Sequence, residues 1–302
     1  MNQFSTILTS NQISLLKRSL ENLDFDCEEK TGDSVLVAKN RGVRITVYKT
    51  NKVLFQGYET DKWVSKLADQ GFVEKTDLPK KTVLPKGYSG PRIGSDESGK
   101  GDYFGPLVTV AAFVDNETES QLREIGVQDS KALSDKAIKT MASQIKSLVT
   151  WETVTVSPEE YNELYAEMKN LNKLLGRCHA RALEGVLNLK DCKLAIVDQF
   201  GDEKFVRDEL MSKGRKINLI QVPRAESDMA VASASIIARD EFIASIERLS
   251  REIDIDLPKG ASSKVIDNGT EIAMKHGFDK LGYVAKLHFR TTSQIRARIG
   301  LV

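Results

Sequence analysis

Residues 92–114 read RIGSDESGKGDYFGPLVTVAAFV and decide the fold of the longer part of the chain. Their last nine residues form an apolar run broken by one threonine, which is typical of a strand buried on both faces. The adjacent acids Asp96 and Glu97 precede this run. Neighbouring side chains on a strand point to opposite faces, so both acids reach one site only where the strand ends or bends. Gly99 and Gly101 permit such a bend, although a turn with two incidental acids would have the same sequence.

The residues that follow alternate apolar strand patterns with amphipathic helix patterns. This order predicts an α/β fold in which helices cover a central sheet. The predicted strands are 149–156, 193–200 and 217–222, and the predicted helices are 134–148, 158–168, 170–189, 203–213 and 227–253.

The 302-residue chain is longer than most single domains, and its composition indicates where it divides. Residues 76–91 contain three of the seven prolines, two glycines and no apolar periodicity, which is typical of a linker. We therefore expect a small domain at 1–75, a linker at 76–91 and a large domain at 92–302. The small domain has the pattern of a helix, three strands and a second helix, an α+β unit with one sheet face open to a ligand.

Charge is balanced overall but unevenly distributed. The 44 Lys and Arg nearly cancel the 43 Asp and Glu, which excludes a protein that grips nucleic acid through bulk charge alone. Residues 39–86, however, carry eleven Lys and Arg against five Asp and Glu. This excess predicts either an ordinary solvated surface or a platform for a phosphate backbone.

Two further acids stand where active sites form. Asp198 ends the apolar run of residues 193–198, and carboxyl ends of core strands collect functional groups in α/β sheets. Asp228 lies at the start of a helix rich in alanine and serine. A turn-forming role for Asp198 and a capping role for Asp228 are the alternatives. Several converging carboxylates would repel one another unless a hard divalent cation such as Mg²⁺ or Mn²⁺ neutralised them.

Other chemistries find little support in the sequence. Three widely spaced cysteines exclude a disulfide framework or a zinc motif and favour a reducing, cytoplasmic location. No apolar run is long enough to span a membrane. The glycines at 99–105 match neither dinucleotide nor phosphate-loop spacing. His179 lies in an apolar helical stripe and is expected to be structural, whereas a phosphate contact is open to His288.

Six stretches together resemble ribonuclease HIII, the bacterial type 3 ribonuclease H. Any one of them would be unspecific, but their order along nearly the whole chain is specific. They are GSDESGKGDYFGPLVTVAA (94–112), DSKALSD (129–135), NLNKLLGRCHARAL (170–183), IVDQF (196–200), SDMAVASASIIARDEF (227–242) and LPKGAS (257–262).

The resemblance implies an RNase H-like catalytic domain with a mixed central sheet, and an N-terminal domain similar to one TATA-binding-protein repeat. It implies Mg²⁺- or Mn²⁺-dependent endonucleolytic cleavage of RNA in RNA–DNA hybrids, with 5′-phosphate and 3′-hydroxyl products. We expect a monomer that requires neither a membrane nor an obligate protein partner. The implied metal-binding catalytic acids are Asp96, Glu97, Asp198 and Asp228, and the expected substrate contacts are Ser98, Gly99, Lys100, Gly101, Lys131 and Lys259.

Two alternatives remain at the level of sequence. The related ribonuclease HII has Arg where this chain has Lys100, so incision at single ribonucleotides embedded in DNA is the alternative activity. Arg makes a forked contact and Lys a point contact, which favours continuous hybrids here. The second alternative is a nucleic-acid-binding protein that has lost catalysis, against which the intact acids argue.

Overall fold

The computed structural model describes residues 3–23, 25–40, 42–57, 59–72, 90–127 and 133–301, and the chain forms two compact units, Met1–Lys81 and Thr82–Val302. The first unit contains an antiparallel sheet in the order β1-β5-β4-β3-β2 with two helices. Its elements are β1 (Gln3–Ile7), α1 (Ser10–Glu21), β2 (Asp26–Glu29), β3 (Ser34–Asn40), β4 (Val43–Tyr48), β5 (Lys52–Gln56) and α2 (Thr60–Asp69).

The core of this unit lies between the helices and one sheet face. Val43, Ile45 and Val47 of β4 are buried together with apolar side chains of α1 and α2, whereas Arg44 is exposed on the opposite face. The edge strands β1 and β2 were not predicted from the sequence. They are short, and β2 reads DCEE, so cross-strand pairing such as Asp26 opposite Lys39 forms them rather than local propensity.

The second unit is built on a mixed sheet, as the resemblance implied, and its strand order is β10-β9-β6-β7-β8. Strands β10, β9 and β6 are parallel, and β7 and β8 are antiparallel to their neighbours. The strands are β6 (Arg92–Ser98), β7 (Leu107–Val114), β8 (Thr150–Val156), β9 (Leu194–Asp198) and β10 (Asn218–Val222). The helices are α3 (Asn116–Glu124), α4 (Asp135–Leu148), α5 (Pro158–Met168), α6 (Leu171–Leu189), α7 (Lys204–Arg207), α8 (Met229–Ile253), α9 (Ser263–His276), α10 (Lys280–Val284) and α11 (Arg290–Arg298).

Helices α6 and α8 cover opposite faces of this sheet. Helix α8 crosses β6 at Gly94, where an added Cβ would lie only 2.1 Å from the carbonyl carbon of Ala230. The small side chains at the start of α8 and the glycine of β6 therefore allow a close helix–strand approach. This packing sets which residues of α8 lie beside the carboxyl end of β6.

The predicted helix at 203–213 is shorter in the structure. Only Lys204–Arg207 form a helix, and a 3₁₀ turn follows at Gly214–Lys216. The amide of Gly214 donates to the buried carboxylate of Glu184 on α6, at 2.7 Å, and this long-range contact competes with continuation of the helix. In the part of the chain that the structure describes, no helix has the length and apolarity needed to cross a membrane.

Candidate active site

The carboxyl ends of β6 and β9 bring the first acids together. These strands are parallel, with Ser95 opposite Val197, so the following residues Asp96 and Asp198 lie at the same sheet edge. Asp96 is paired with Val110 and Glu97 with Thr109 on β7, which places the two adjacent acids on opposite faces at the end of the strand. The register between β6 and β9, rather than the spacing of the acids in the sequence, therefore places Asp96 next to Asp198.

A cavity of about 590 Å³ contains the carboxylates at this edge. Its walls include the predicted substrate-contact residues Ser98, Gly99, Lys100 and Gly101, and two α8 residues that the sequence did not single out, Ser235 and Arg239. Gly99 has a φ of 88°, and a Cβ there would lie 2.2 Å from the Pro106 carbonyl oxygen. Only glycine fits this position without strain.

The pKa of Asp96 in this cavity is far from that of an ordinary aspartate. Burial raises its pKa to about 8, and the negative charges of Glu97 and Asp198 act in the same direction. A hydrogen bond from Ser235 and the backbone amide of Glu97, which donates to Asp96 Oδ1 at 2.8 Å, oppose this shift. Without a compensating cation, burial and the neighbouring acids therefore favour the protonated form of Asp96.

The pKa of Glu97 is shifted in the opposite direction, downward. Burial alone would raise its pKa, but the hydrogen bond and charge of His179, together with Lys100, lower the pKa to about 2. Lys100 Nζ lies 3.1 Å from Glu97 Oε1, and His179 Nε2 lies 3.1 Å from Oε2. The expectation that His179 is only a core residue is thus incomplete, because its buried ring contacts an active-site acid.

Asp198 is connected to the segment that precedes α8. Its Oδ1 accepts a hydrogen bond of 2.8 Å from the backbone amide of Ala225. The next residue, Glu226, is half-buried in the 3₁₀ turn Ala225–Ser227. Glu226 was not among the acids predicted from the sequence, because the stretch RAESD offers two acids and the position at the helix start favoured the second of them.

Asp228 is not among the residues that line the cavity, and its assignment as the fourth acid stays a prediction. Asp228 is the N-cap of α8, and its Oδ1 accepts from the amides of Ala230 and Val231 at 2.9 and 3.3 Å. Its Oδ2 lies 2.5 Å from Nε of the buried Arg92. Arg92 precedes Asp96 by four residues, about 13 Å along an extended strand. Asp228 therefore has the helix-capping role that the sequence offered as an alternative.

Of the two lysines expected to contact substrate, the structure describes only one. Lys131 lies outside the described residues. Lys259 Nζ is paired with the carboxylate of Asp135, at 2.7 and 2.6 Å, and Asp135 also accepts from Arg239 at 3.3 Å. Arg239 is the member of this group that lines the cavity. Lys259 is thus engaged in an ion pair beside the site and is not among the residues that line it.

Comparisons with known proteins agree with this architecture. Residues 93–292 match the Ribonuclease HII family, and residues 6–79 match a domain of unknown function, DUF3378. The chain is 38% identical to ribonuclease HIII of Protochlamydia amoebophila, over 99% of this chain and all of that relative. It is 36% identical to ribonuclease HIII of Chlamydia pneumoniae, over 97% of each chain. The crystal structure of Bst ribonuclease HIII in complex with Mn²⁺ has a TM-score of 0.66 and 30% identity, and the match covers 98% of this chain and 99% of that one.

These matches extend over both units, and they confirm the resemblance inferred from the six motifs. The relatives share the length of the chain as well as its catalytic stretch. The chain therefore belongs to the ribonuclease HIII family, divalent-metal-dependent endonucleases that cleave the RNA strand of RNA–DNA hybrids.

Proposed function

We propose that this chain cleaves the RNA of hybrids with divalent cations held by Asp96, Glu97, Asp198 and Glu226. The observation that carries the proposal is the meeting of Asp96 and Asp198 at one sheet edge, in the cavity that also contains the glycine segment. Glu226 is proposed as the fourth acid because the amide of the preceding Ala225 is bonded to Asp198, although Glu226, like Asp228, is not among the residues that line the cavity. Asp228 is not included, since Arg92 and the α8 amides engage its carboxylate.

The side chains fit Mg²⁺ or Mn²⁺, which prefer carboxylate oxygens. A divalent cation would also remove the electrostatic cost of ionising the buried Asp96. As placed, no three His, Cys, Asp or Glu side chains among the described residues are gathered closely enough to ligate one ion. Glu97 and Asp198 are instead directed by hydrogen bonds from protein groups. Those bonds fix where two of the donors lie before a cation binds.

When bound, the cations supply positive charge to the scissile phosphate and lower the pKa of the attacking water. The residues of the chain bind and orient the RNA. The glycine segment Gly99–Gly101 carries the backbone groups that approach a 2′-hydroxyl, the group that distinguishes RNA from DNA. Lys100 supplies a point charge for a phosphate oxygen. Because water is the nucleophile, no covalent enzyme intermediate forms, and the products carry 5′-phosphate and 3′-hydroxyl ends.

The N-terminal unit is proposed to hold the hybrid through the sheet face that carries Lys39 and Arg44. Lys39 and Arg44 are exposed neighbours across β3 and β4, and Arg44 is also opposite Gln56 on β5. Each cation that neutralises a phosphate releases condensed counterions, which favours binding. We propose limits of 1–75 for this domain and 92–302 for the catalytic domain, joined by 76–91, most of which lies outside the described residues.

The chain is further proposed to act as a monomer in the cytoplasm, without an obligate protein partner. Its three cysteines are all unpaired, which suits a reducing compartment. Sedimentation of the full chain, with and without hybrid, measures the oligomeric state directly. A dimer that persists at low protein concentration would reject the monomer.

A cleavage assay on four labelled duplexes tests the proposed function. We expect cleavage of a continuous RNA–DNA hybrid in Mg²⁺ or Mn²⁺, weaker incision at a single ribonucleotide in DNA, and no cleavage of double-stranded RNA or DNA. Asp96→Asn serves as the inactive control, because it removes a metal-ligating carboxylate. Near wild-type cleavage by Asp96→Asn would reject the assigned site, and stronger incision of the single-ribonucleotide duplex would favour the ribonuclease HII-like activity.

A further inference from the structure

His179 is completely buried on α6, yet both of its ring nitrogens face hydrogen-bonding groups. Nε2 lies 3.1 Å from Oε2 of Glu97, and a carboxylate oxygen only accepts, so Nε2 carries the hydrogen of this bond. Nδ1 lies 2.8 Å from the hydroxyl of Ser95 on β6. The imidazole therefore bridges two β6 side chains, one of which is an active-site acid.

The surroundings of the ring fix its orientation. The Ser95 hydroxyl also lies 2.8 Å from the carbonyl oxygen of Val110 on the neighbouring strand β7, which ties this side of the bridge to the sheet. The ring of Phe200, two residues after Asp198, stacks on the imidazole with a centroid distance of 5.0 Å and an interplanar angle of 9°. A half-turn of the ring would put carbon atoms against both partners, so packing and bonding select one orientation.

Glu97 is held by two neighbouring groups that differ in exposure. It has a long side chain at the end of β6, and its two oxygens accept hydrogen bonds from different groups, Lys100 and His179. The Lys100 partner is 39% exposed and belongs to the segment proposed to contact substrate, whereas His179 is fully buried. When Lys100 turns to a phosphate, the bond to His179 is the contact that still directs the carboxylate.

We propose that His179 is a positioning residue that holds Glu97 in its metal-binding orientation, with Ser95 and Phe200 fixing the ring. The inference rests on the proposed function, because it assigns a role to His179 only through Glu97. Groups that orient metal ligands from the next layer outward change metal affinity or activity by about 10–100-fold when removed. His179 is not a catalytic residue, since its ring is fully buried and its two nitrogens face Ser95 and Glu97.

The experiment uses the full chain and two substitutions with different hydrogen-bonding capacity. His179→Gln keeps a side-chain N–H donor, whereas His179→Phe keeps a planar ring against Phe200 and removes the donor. We expect His179→Phe to weaken Mn²⁺ binding to the substrate-free protein about 10–100-fold, measured by electron paramagnetic resonance of free Mn²⁺. The kcat on hybrid at one fixed Mn²⁺ concentration should fall by a similar factor with KM nearly unchanged, and His179→Gln should recover most of both.

A double-mutant cycle separates positioning from a general packing effect. In a Glu97→Gln background, His179→Phe should cause no further loss of Mn²⁺ affinity or kcat, because its role acts through the Glu97 carboxylate. Equal losses from His179→Phe with and without that carboxylate would overturn the proposal, as would unchanged Mn²⁺ affinity in the single variant. Ser95→Ala leaves the imidazole in place and should cause a smaller loss, which covers the case in which His179→Phe does not fold.

Different results would refute the proposed function and the positioning role of His179. If Glu97→Gln alone bound Mn²⁺ and cleaved hybrid like the unaltered chain, the metal-binding assignment of Glu97 would be wrong whatever His179 did. If Glu97→Gln lost both properties and His179→Phe lost neither, the assignment of Glu97 would stand and the positioning role would be rejected.

Discussion

Replacing Glu226 with Gln and, separately, Asp228 with Asn tests which of two neighbouring acids serves the active site. The substitutions are matched, because each converts a carboxylate to the amide of the same length. The structure predicts opposite outcomes for them. Glu226 adjoins the residue bonded to Asp198, whereas Asp228 is engaged by Arg92 and by two amides of α8.

The expected magnitudes follow from these contacts. A metal-held charge contributes several kcal/mol to transition-state stabilisation, so Glu226→Gln should lower kcat by about two to three orders of magnitude. Asp228→Asn removes one carboxylate from the buried Arg92 and leaves Glu119 beside it, at 2.8 Å. Breaking a buried ion pair costs about 3–5 kcal/mol, and the remaining Glu119 places the loss at the lower end of that range. Asn still caps a helix well, so the α8 N-terminus should persist.

The two effects are measured by different methods. Single-turnover cleavage of hybrid, normalised to the folded fraction, reports the rate, and urea denaturation reports the free energy of unfolding. We expect Glu226→Gln to be stable and nearly inactive, and Asp228→Asn to be destabilised and active when folded. A folded Asp228→Asn protein with kcat reduced a hundredfold, beside a fully active Glu226→Gln protein, would refute the exclusion of Asp228.

Two further predictions concern charge. Because burial raises the pKa of Asp96 to about 8, the metal-free folded state holds a proton that the unfolded state releases near pH 4; stability should therefore fall as pH rises from about 4 to 8. Urea titrations at several pH values should show this fall in the unaltered chain and less of it in Asp96→Asn; parallel curves would contradict the perturbed pKa. In the N-terminal unit, Lys39→Ala with Arg44→Ala should raise the Kd for hybrid and reduce the slope of log K against log salt by about 2, since each of the two cations would neutralise about one phosphate. Lys66→Ala removes one positive charge from α2 and is the control; an effect of Lys66→Ala as large as that of the double variant would show that the sheet face with Lys39 and Arg44 is not the binding surface.

The sequence by itself determined the elements and the first pair of acids. Runs such as 107–114 and 194–198 are apolar enough to specify buried strands, and the glycines around Asp96 and Glu97 mark where a strand ends. These signals are local, because strand and helix periodicity is written into consecutive residues. The ordered motifs then identified the family over the whole chain.

Only the tertiary structure decided which polar residues meet. The parallel register of β6 and β9 joins Asp96 to Asp198 across about a hundred residues, and the path of the chain before α8 separates Glu226 from Asp228. His179 illustrates the same limit: its helical stripe predicted a core residue, and it is buried, but one ring nitrogen reaches Glu97. Such pairings depend on sheet register and helix packing between distant segments, so the local pattern contains the candidate side chains but not their partners.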